Sequence, residues 1–327
     1  MRKMLFAAGI CACVVAAVLS LTLGAAAYTL PELLEAIGQG TATTAGRIFW
    51  FSRLPRTAGC LLAGAALAVS GCVIQNVLAN PLASPGIIGI NAGAGLAVTV
   101  CCACGAISGW AVAGASFLGA LAAAMLVVFC AERTGASRST VILSGVAVNA
   151  LVNGLRDAVT TLVPEVSVMS ADFRVGGFSA VAHTRLIPAG ALILLALGLV
   201  FTLHNELDVM TLGEDTARGL GMNVKRTRNL LLVLGAMLAG AAVSFAGLLG
   251  FVGLMVPHGV RKLAGNRSGT VLPLSALFGG AFVTLADLAA RLCFAPYELP
   301  VGIFLSVLGG PFFLWLLYRG RGGKNRD

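Results

Sequence analysis

Arginines in unexpected places are the residues of this sequence most able to do chemistry. Arg53-Leu54-Pro55-Arg56, with Arg47 just upstream, opens a long apolar run. A guanidinium pairs a carboxylate bidentately, so two of them suit recognition of acidic groups. Snorkelling of long side chains at an interface explains the same residues equally well. Asn149, Asn153 and Arg156 are spaced i, i+4 and i+7, which places them on one helical face. Polar groups in an apolar helix turn toward a bundle interior or an aqueous cavity. Arg156 with Asp157 also fits a simple helix end. Asp287 and Arg291 have the i,i+4 spacing of a local pair.

A third polar group lies at residues 206–228. Thr211-Leu212-Gly213-Glu214 has the form of a capping box. Glu214 and Asp215 suit a helix N-terminus and Arg218 its last turn. Gly219 and Gly221 offer a stop. The pattern predicts a short helix, followed by Lys225, Arg226 and Arg228. Such a helix could dock in a partner's groove; a plain surface loop has the same composition.

Catalytic constellations do not emerge. His183, His204 and His258 have no helical-spacing partner such as H-E-x-x-H. The single Gly-Lys pair is followed by Asn325, so there is no Walker-type phosphate loop. Cys101, Cys102 and Cys104 make a C-x-x-C inside an apolar stretch, where small apolar packing is the better reading than metal or redox chemistry.

These groups must be positioned by apolar elements. Of 327 residues 58% are hydrophobic and 11% charged, against about 25% charged in soluble domains. The net charge of +9 does not point to nucleic acid, since no polar domain exists to cluster it. A membrane span needs about 20 mostly apolar residues. Charge-free stretches run over Met4–Pro31, Thr57–Ala131, Ser139–Leu155, Leu186–Asn205, Asn229–Val260, Ser268–Ala286 and Leu299–Tyr318. The second holds three spans, broken at Asn80-Pro81 with Pro85-Gly86 and at Gly105 to Gly109. The fifth holds a full helix, a tight turn near Gly247 and Gly250, and a short returning helix. The expectation is an all-α polytopic protein of ten spans, a single membrane domain over residues 1–327.

Alternating from an inner N-terminus puts Arg2, Lys3, Arg133, Arg138, Arg218, Lys225, Arg226, Arg228, Arg261, Lys262, Arg267, Arg319, Arg321, Lys324 and Arg326 inside. Arg47, Arg53, Arg56, Arg156, Arg174, Arg185 and Arg291 fall outside. The excess of basic residues inside supports cytoplasmic termini. Residues 1–28 read as an uncleaved first span, because the apolar run exceeds the ~15 residues of a signal-peptide core, although Ala25-Ala26-Ala27 resembles a cleavage site.

Leu62-Ala63-Gly64-Ala65-Ala66 recurs as Leu238-Ala239-Gly240-Ala241-Ala242. Gly71 and Gly247, and Pro81 and Pro257, match in the same alignment. In the ten-span topology the copies run in opposite directions, with repeat halves at roughly 53–161 and 229–318. Inverted repeats of this kind are a common transporter device. Small pairs such as Gly64/Ala68, Gly105/Gly109, Ala115/Gly119 and Gly240/Ser244 permit close helix packing.

Several ordered motifs resemble the permease family of iron-siderophore, haem and vitamin B12 ABC importers. They are Arg53-Leu-Pro-Arg56, Gly64-Ala65-Ala66-Leu67-Ala68, Gln75 and Asn80-Pro81-Leu82-Ala83. Leu212-Gly213-Glu214, Gly250-Phe251-Val252-Gly253-Leu254 with Pro257-His258 and Arg261, and Glu298-Leu299-Pro300 continue the series. The resemblance covers about Arg53 to Tyr318. It implies a multi-pass permease of a bacterial cytoplasmic membrane, paired with a second copy as homodimer or heterodimer. Two cytoplasmic ATPase subunits would bind ATP and Mg, and an external binding protein would deliver an iron(III)-siderophore or, alternatively, haem or cobalamin. This chain would hold no cofactor and hydrolyse nothing itself. Residue by residue, the resemblance implies binding-protein docking at Arg53, Arg56 and Arg291. It implies ATPase coupling through Gly213, Glu214, Asp215, Ala217, Arg218, Leu220 and Gly221, an inner gate at Ser137, Arg138 and Ser139, and pathway lining by Asn149, Asn153 and Arg156. Glu214→Arg is then expected to uncouple ATPase from uptake with folding intact. Two positions depart from the family: Ala79 where Arg is common, and Gly265-Asn266-Arg267 in place of an acidic residue with His or Arg. An ion-coupled secondary transporter would need membrane-embedded acids, and only Asp157 and Asp287 come near. An intramembrane enzyme would need paired catalytic groups inside spans.

Overall fold

The computed structural model describes residues 2–24, 29–134, 137–293 and 297–321. Ala25, Ala26 and Ala27 of the possible cleavage site, and Lys324 and Arg326 of the inner basic set, lie outside the described residues. The described chain is helical. In order the α-helices are α1 (Arg2–Thr22), α2 (Leu30–Gln39), α3 (Thr44–Ile48), α4 (Leu54–Val77), α5 (Ile90–Ala103), α6 (Gly109–Arg133), α7 (Arg138–Leu162) and α8 (Glu165–Met169). They continue with α9 (Ala171–Val175), α10 (His183–Thr202), α11 (His204–Thr211), α12 (Glu214–Gly219), α13 (Val224–Ala246), α14 (Val252–Ala264), α15 (Ser268–Leu292) and α16 (Val301–Arg321). A π-helical turn, Phe49–Arg53, leads into α4, and a 3-10 turn, Pro85–Ile88, precedes α5.

Each apolar segment expected to span contains one helix: α1, α4, α5, α6, α7, α10, α13, α14, α15 and α16. Seven helices among the described residues are long and apolar enough to cross a membrane, and α5 and α16 supply shorter apolar stretches. The breaks fall where Pro and Gly forbid continuation. Gly247 has φ 70°, which ends α13, and α14 restarts five residues later with only 13 residues. Phe251, at φ 65°, holds a left-handed conformation that a bulky residue rarely adopts.

Four elements were not legible beforehand. α2 begins on Thr29, whose backbone N–H donates to Glu32 at 2.8 Å. That bond, then one from the Thr29 hydroxyl, lowers the Glu32 pKa below its ordinary value. α8 and α9 fold the link between α7 and α10. α11 carries residue 211 inside a helix, so the expected capping box does not form. The Thr211 hydroxyl instead donates to the Asp208 carbonyl at 2.7 Å, and Gly213, at φ 108°, is the N-cap of α12. A hydroxyl already inside a helix bonds back to the preceding turn.

Burial separates a centre from a periphery. The most apolar windows of Thr44–Val77 and α13 are 78% and 72% buried, those of α1 and α7 only 17% and 22%. α4 packs against α15 and α14, and α13 packs against α6 and α5. The crossing of α4 on α15 depends on missing side chains. A Cβ at Gly64 would lie 2.2 Å from the Gly279 carbonyl oxygen, and one at Gly279 would lie 2.4 Å from the Gly64 oxygen. With apolar solvent all round, such close backbone contact is what holds helices together. α1 belongs to the same body: Cys13 Sγ donates to the Leu277 carbonyl at 3.0 Å, and Ala16 is fully buried.

Candidate functional site

At the end of the bundle where α15 finishes, α15 positions one buried carboxylate among three arginines. Asp287 is 1% exposed. Arg56 donates to it twice, Nε to Oδ2 at 2.9 Å and Nη2 to Oδ1 at 3.1 Å, in the bidentate geometry its planar fork allows. Arg56 Nη1 reaches Glu298 Oε2 at 2.7 Å. Arg291, one turn beyond Asp287, lies 3.2 Å from it and donates to Ser20 Oγ at 3.1 Å. Arg53 donates to the carbonyls of Leu21 and Thr22 at 2.5 and 2.9 Å. It thereby satisfies the last turn of α1, whose carbonyls have no partner in their own helix. The structure thus brings Arg53, Arg56 and Arg291 together, as the sequence reading grouped them. The expected local pairing of Asp287 with Arg291 is present. Each guanidinium is engaged within the chain, and Glu298, 45% exposed, is the accessible acid of the cluster.

At the opposite end, residues assigned separately to a gate and a coupling segment are joined. Ser137 caps α7, accepting from the Thr140 backbone N–H at 3.2 Å. Arg138 Nη2 donates to the Met210 carbonyl at 2.5 Å, tying α7 to α11. Ser139 is exposed beside it. In α12, Glu214 accepts from Arg218 at 3.4 Å and from Arg228 at 3.3 Å, and Arg228 is 3% exposed. Ala217 is fully buried, whereas Asp215 is fully exposed. Leu212 and Leu220, 61% and 65% exposed, flank the helix. Gly213 and Gly221 both take positive φ.

A buried polar network beside this segment was missed. Arg261 donates to Gln75 Oε1 and to Asn76 Oδ1, the latter at 3.0 Å. Asn76 Nδ2 donates to Ser268 Oγ at 3.0 Å, and the Ser268 backbone N–H donates to Asp208 at 2.8 Å. Gln75 Nε2 donates to the Gly253 carbonyl at 3.0 Å. The ends of α4, α14 and α15 are therefore connected to α11. The available signal was two adjacent amides, Gln75 and Asn76, closing an otherwise apolar helix.

On α7, Asn149 Nδ2 donates to the carbonyls of Gly86 and Ile87 at 3.0 and 3.2 Å, so it anchors the Pro85–Ile88 turn. Asn153 is half-buried and Arg156 pairs with Asp157 at 2.8 Å. The rest of the helix exposes Leu143, Val146, Leu151 and Leu155. The histidines are dispersed: His183 meets the Trp50 carbonyl, His204 the Phe201 carbonyl, and His258 stacks edge-on against Phe312. Among the described residues no group of three or more His, Cys, Asp or Glu is placed to hold a metal ion. Cys101 Sγ donates to the Ala106 carbonyl at 3.1 Å.

Comparison with known proteins covers nearly the whole chain. The model of the FecCD transport family matches residues 12–319. The Fe(3+)-citrate import system permease protein YfmD of Bacillus subtilis (strain 168) is 36% identical over 306 residues, 94% of this chain and 92% of that one. The vitamin B12 import system permease protein BtuC of Citrobacter koseri is 36% identical over 280 residues, 84% of each. A solved chain, described as "an inward-facing conformation of a putative metal-chelate type ABC transporter", superposes with TM-score 0.87 at 26% identity, covering 98% of this chain and all of that one.

Proposed function

The chain belongs to the FecCD transport family, permeases of ABC importers for iron chelates, haem or cobalamin, and from that premise we propose that it passes an iron(III)-siderophore or similar metal chelate into the cytoplasm. It is a multi-pass membrane protein and the membrane subunit of its importer, without ATPase activity of its own. Its family works with an ATPase and a binding protein. In the proposed assembly two copies of the chain face each other, two partner ATPases bind ATP and Mg, and one external binding protein hands over the cargo. The observation that carries the choice of cargo is the fold agreement, end to end, with a transporter described as of metal-chelate type. Haem and cobalamin are the alternatives, because relatives of equal identity carry different printed cargo.

In this reading all ten apolar helices cross the membrane, both termini are cytoplasmic, and residues 53–161 and 229–318 form an inverted repeat. Reciprocal packing supports the repeat, since α4 lies on α14 and α15 as α13 lies on α5 and α6. Arg53, Arg56 and Arg291 form the docking cluster, where three guanidiniums face two carboxylates and leave positive charge. The segment from Gly213 to Gly221 receives the push of the ATPase, and the bond from Arg138 to Met210 carries it to the gate at Ser137–Ser139. Asn153 and Arg156 lie along the path, and Asn149 on the same face of α7 supports it by holding the Pro85–Ile88 turn. ATP binding and hydrolysis drive alternation by favouring one conformation over the other.

The test is reconstitution with the ATPase and binding protein in proteoliposomes, measuring ATP-dependent accumulation of iron-55 chelates, haemin and cobalamin. Accumulation of the iron chelate is expected. Accumulation of cobalamin alone would replace the cargo, and uptake without ATP would overturn the mechanism.

A further inference from the structure

Arg174 is an outer arginine that neither the docking cluster nor the path accounts for. It stands on α9, in a segment gripped from both sides by backbone. The Gly302 N–H donates to the Gly176 carbonyl at 3.1 Å, the Gly177 N–H to the Ala246 carbonyl at 2.8 Å, and the Leu248 N–H to the Phe173 carbonyl at 2.9 Å. A Cβ at Gly302 would lie 1.8 Å from the Val175 oxygen, and one at Gly176 2.4 Å from the Leu248 oxygen. The segment therefore has little freedom, and Arg174 is held where the grip places it.

That place is an open surface pocket of about 430 Å³, with Arg174, Leu248, Gly302, Ile303, Ser306 and Val307 in its lining. The volume falls within the roughly 300–1,000 Å³ of small-molecule sites. Arg174 is exposed. Its hydrogen bond goes to a neutral group, the Ser167 carbonyl, at 3.3 Å. Arg56, Arg156 and Arg291 each pair with a carboxylate, whereas Arg174 makes no ion pair among the described residues. Leu248, in the same lining, also leads toward the path: a Cβ at Gly95 would lie 3.9 Å from both Leu248 Cδ1 and Arg156 Cδ. An exposed guanidinium without an ion-pair partner, carried on a held backbone at the rim of such a pocket, favours a carboxylate-bearing guest and disfavours a cation.

We propose that this pocket is a cargo-contact site for an anionic metal chelate, in which the Arg174 guanidinium pairs a carboxylate of the chelate. The inference rests on the importer reading and assigns its cargo a charge class. It places Arg174 as a specificity-determining residue that selects anionic over neutral chelates.

The experiment is equilibrium binding of iron-55 citrate and of a neutral iron-55 trihydroxamate to the permease–ATPase complex in nanodiscs, for wild type, Arg174→Ala, Arg174→Glu and Arg174→Lys. Citrate affinity is expected to fall about tenfold or more in Arg174→Ala and further in Arg174→Glu, to stay within about threefold in Arg174→Lys, and to weaken with salt in wild type. The neutral chelate is expected to be unaffected by all three changes. Equal citrate affinity in wild type and Arg174→Glu would overturn the proposal, as would equal loss for both chelates. Loss of binding-protein capture with chelate affinity intact would also overturn it, making Arg174 a docking residue. Failure of the importer reading is seen separately, as absent ATP-dependent uptake by wild-type vesicles, which leaves this binding readout in place.

Discussion

Asp287 is the single side chain on which the arginine cluster turns. Buried and flanked by Arg56 and Arg291, it compensates two guanidiniums at once. Removing one partner of a buried ionic group leaves the others uncompensated, at a cost of about 3–5 kcal/mol. Asp287→Asn is expected to lose that much, read as a lower thermal midpoint of the purified protein. Glu298 lies on the exposed rim, so Glu298→Gln is expected to cost under about 1 kcal/mol. The same substitution tests docking. Glu298 holds Arg56 Nη1 at 2.7 Å, where a carboxylate of the binding protein would have to compete. Freed of it, Arg56 is expected to bind the binding protein several-fold more tightly at low salt. Unchanged or weaker affinity would remove Arg56 from the docking surface. Reversing Arg53 is the poorer test, because its buried head group caps α1 and its loss damages the fold.

At the scale of elements, α12 separates into a structural face and a free face. Glu214 accepts from the buried Arg228, so Glu214→Arg sets two cations together and is expected to destabilise the segment. The expectation that this variant leaves folding intact does not survive the contact. Leu212 and Leu220, both exposed beside the helix, are the side chains the proposed coupling role assigns to the ATPase contact. Leu220→Asp is expected to keep the stability within about 0.5 kcal/mol of wild type, as surface changes do, read as a nearly unchanged thermal midpoint. It should also lower transport per ATP hydrolysed severalfold. Normal coupling in that variant would place the ATPase contact elsewhere. The Asp208–Ser268–Asn76–Arg261 chain gives the displacement a route, because it connects α11 to the ends of α4, α14 and α15.

For the whole molecule, the distribution of burial states what is missing. α4 and α13 are enclosed, while α7 turns Leu143, Val146, Leu151 and Leu155 outward and keeps the half-buried Asn153 and Arg156 on a different face. Lipid accepts the leucines but disfavours the polar groups, which is why a second copy across an aqueous path is the expected neighbour. Asn153→Cys, on a background lacking exposed cysteines, is expected to be bridged between two copies in membranes by a long bifunctional thiol reagent; a chain that stays monomeric under that reagent would argue against the face.

Hydropathy alone determined the number and order of the apolar helices, because lipid demands internally bonded segments of set length and Pro or Gly marks where they stop. The charge asymmetry pointed to the outer arginines for the same kind of local reason, and motif order pointed to the family. Only the tertiary structure decided who partners whom. It showed that Arg53, Arg56 and Arg291 already answer to Leu21, Asp287 and Ser20, that Glu214 answers to Arg228, and that Gln75 and Asn76 answer to Arg261. Those partners lie from 14 to 271 residues apart in the chain, and no local pattern encodes such pairings. The pocket at Arg174 belongs to the same class. It exists because three glycine-lined backbones meet there, and a meeting of backbones is a property of packing rather than of composition.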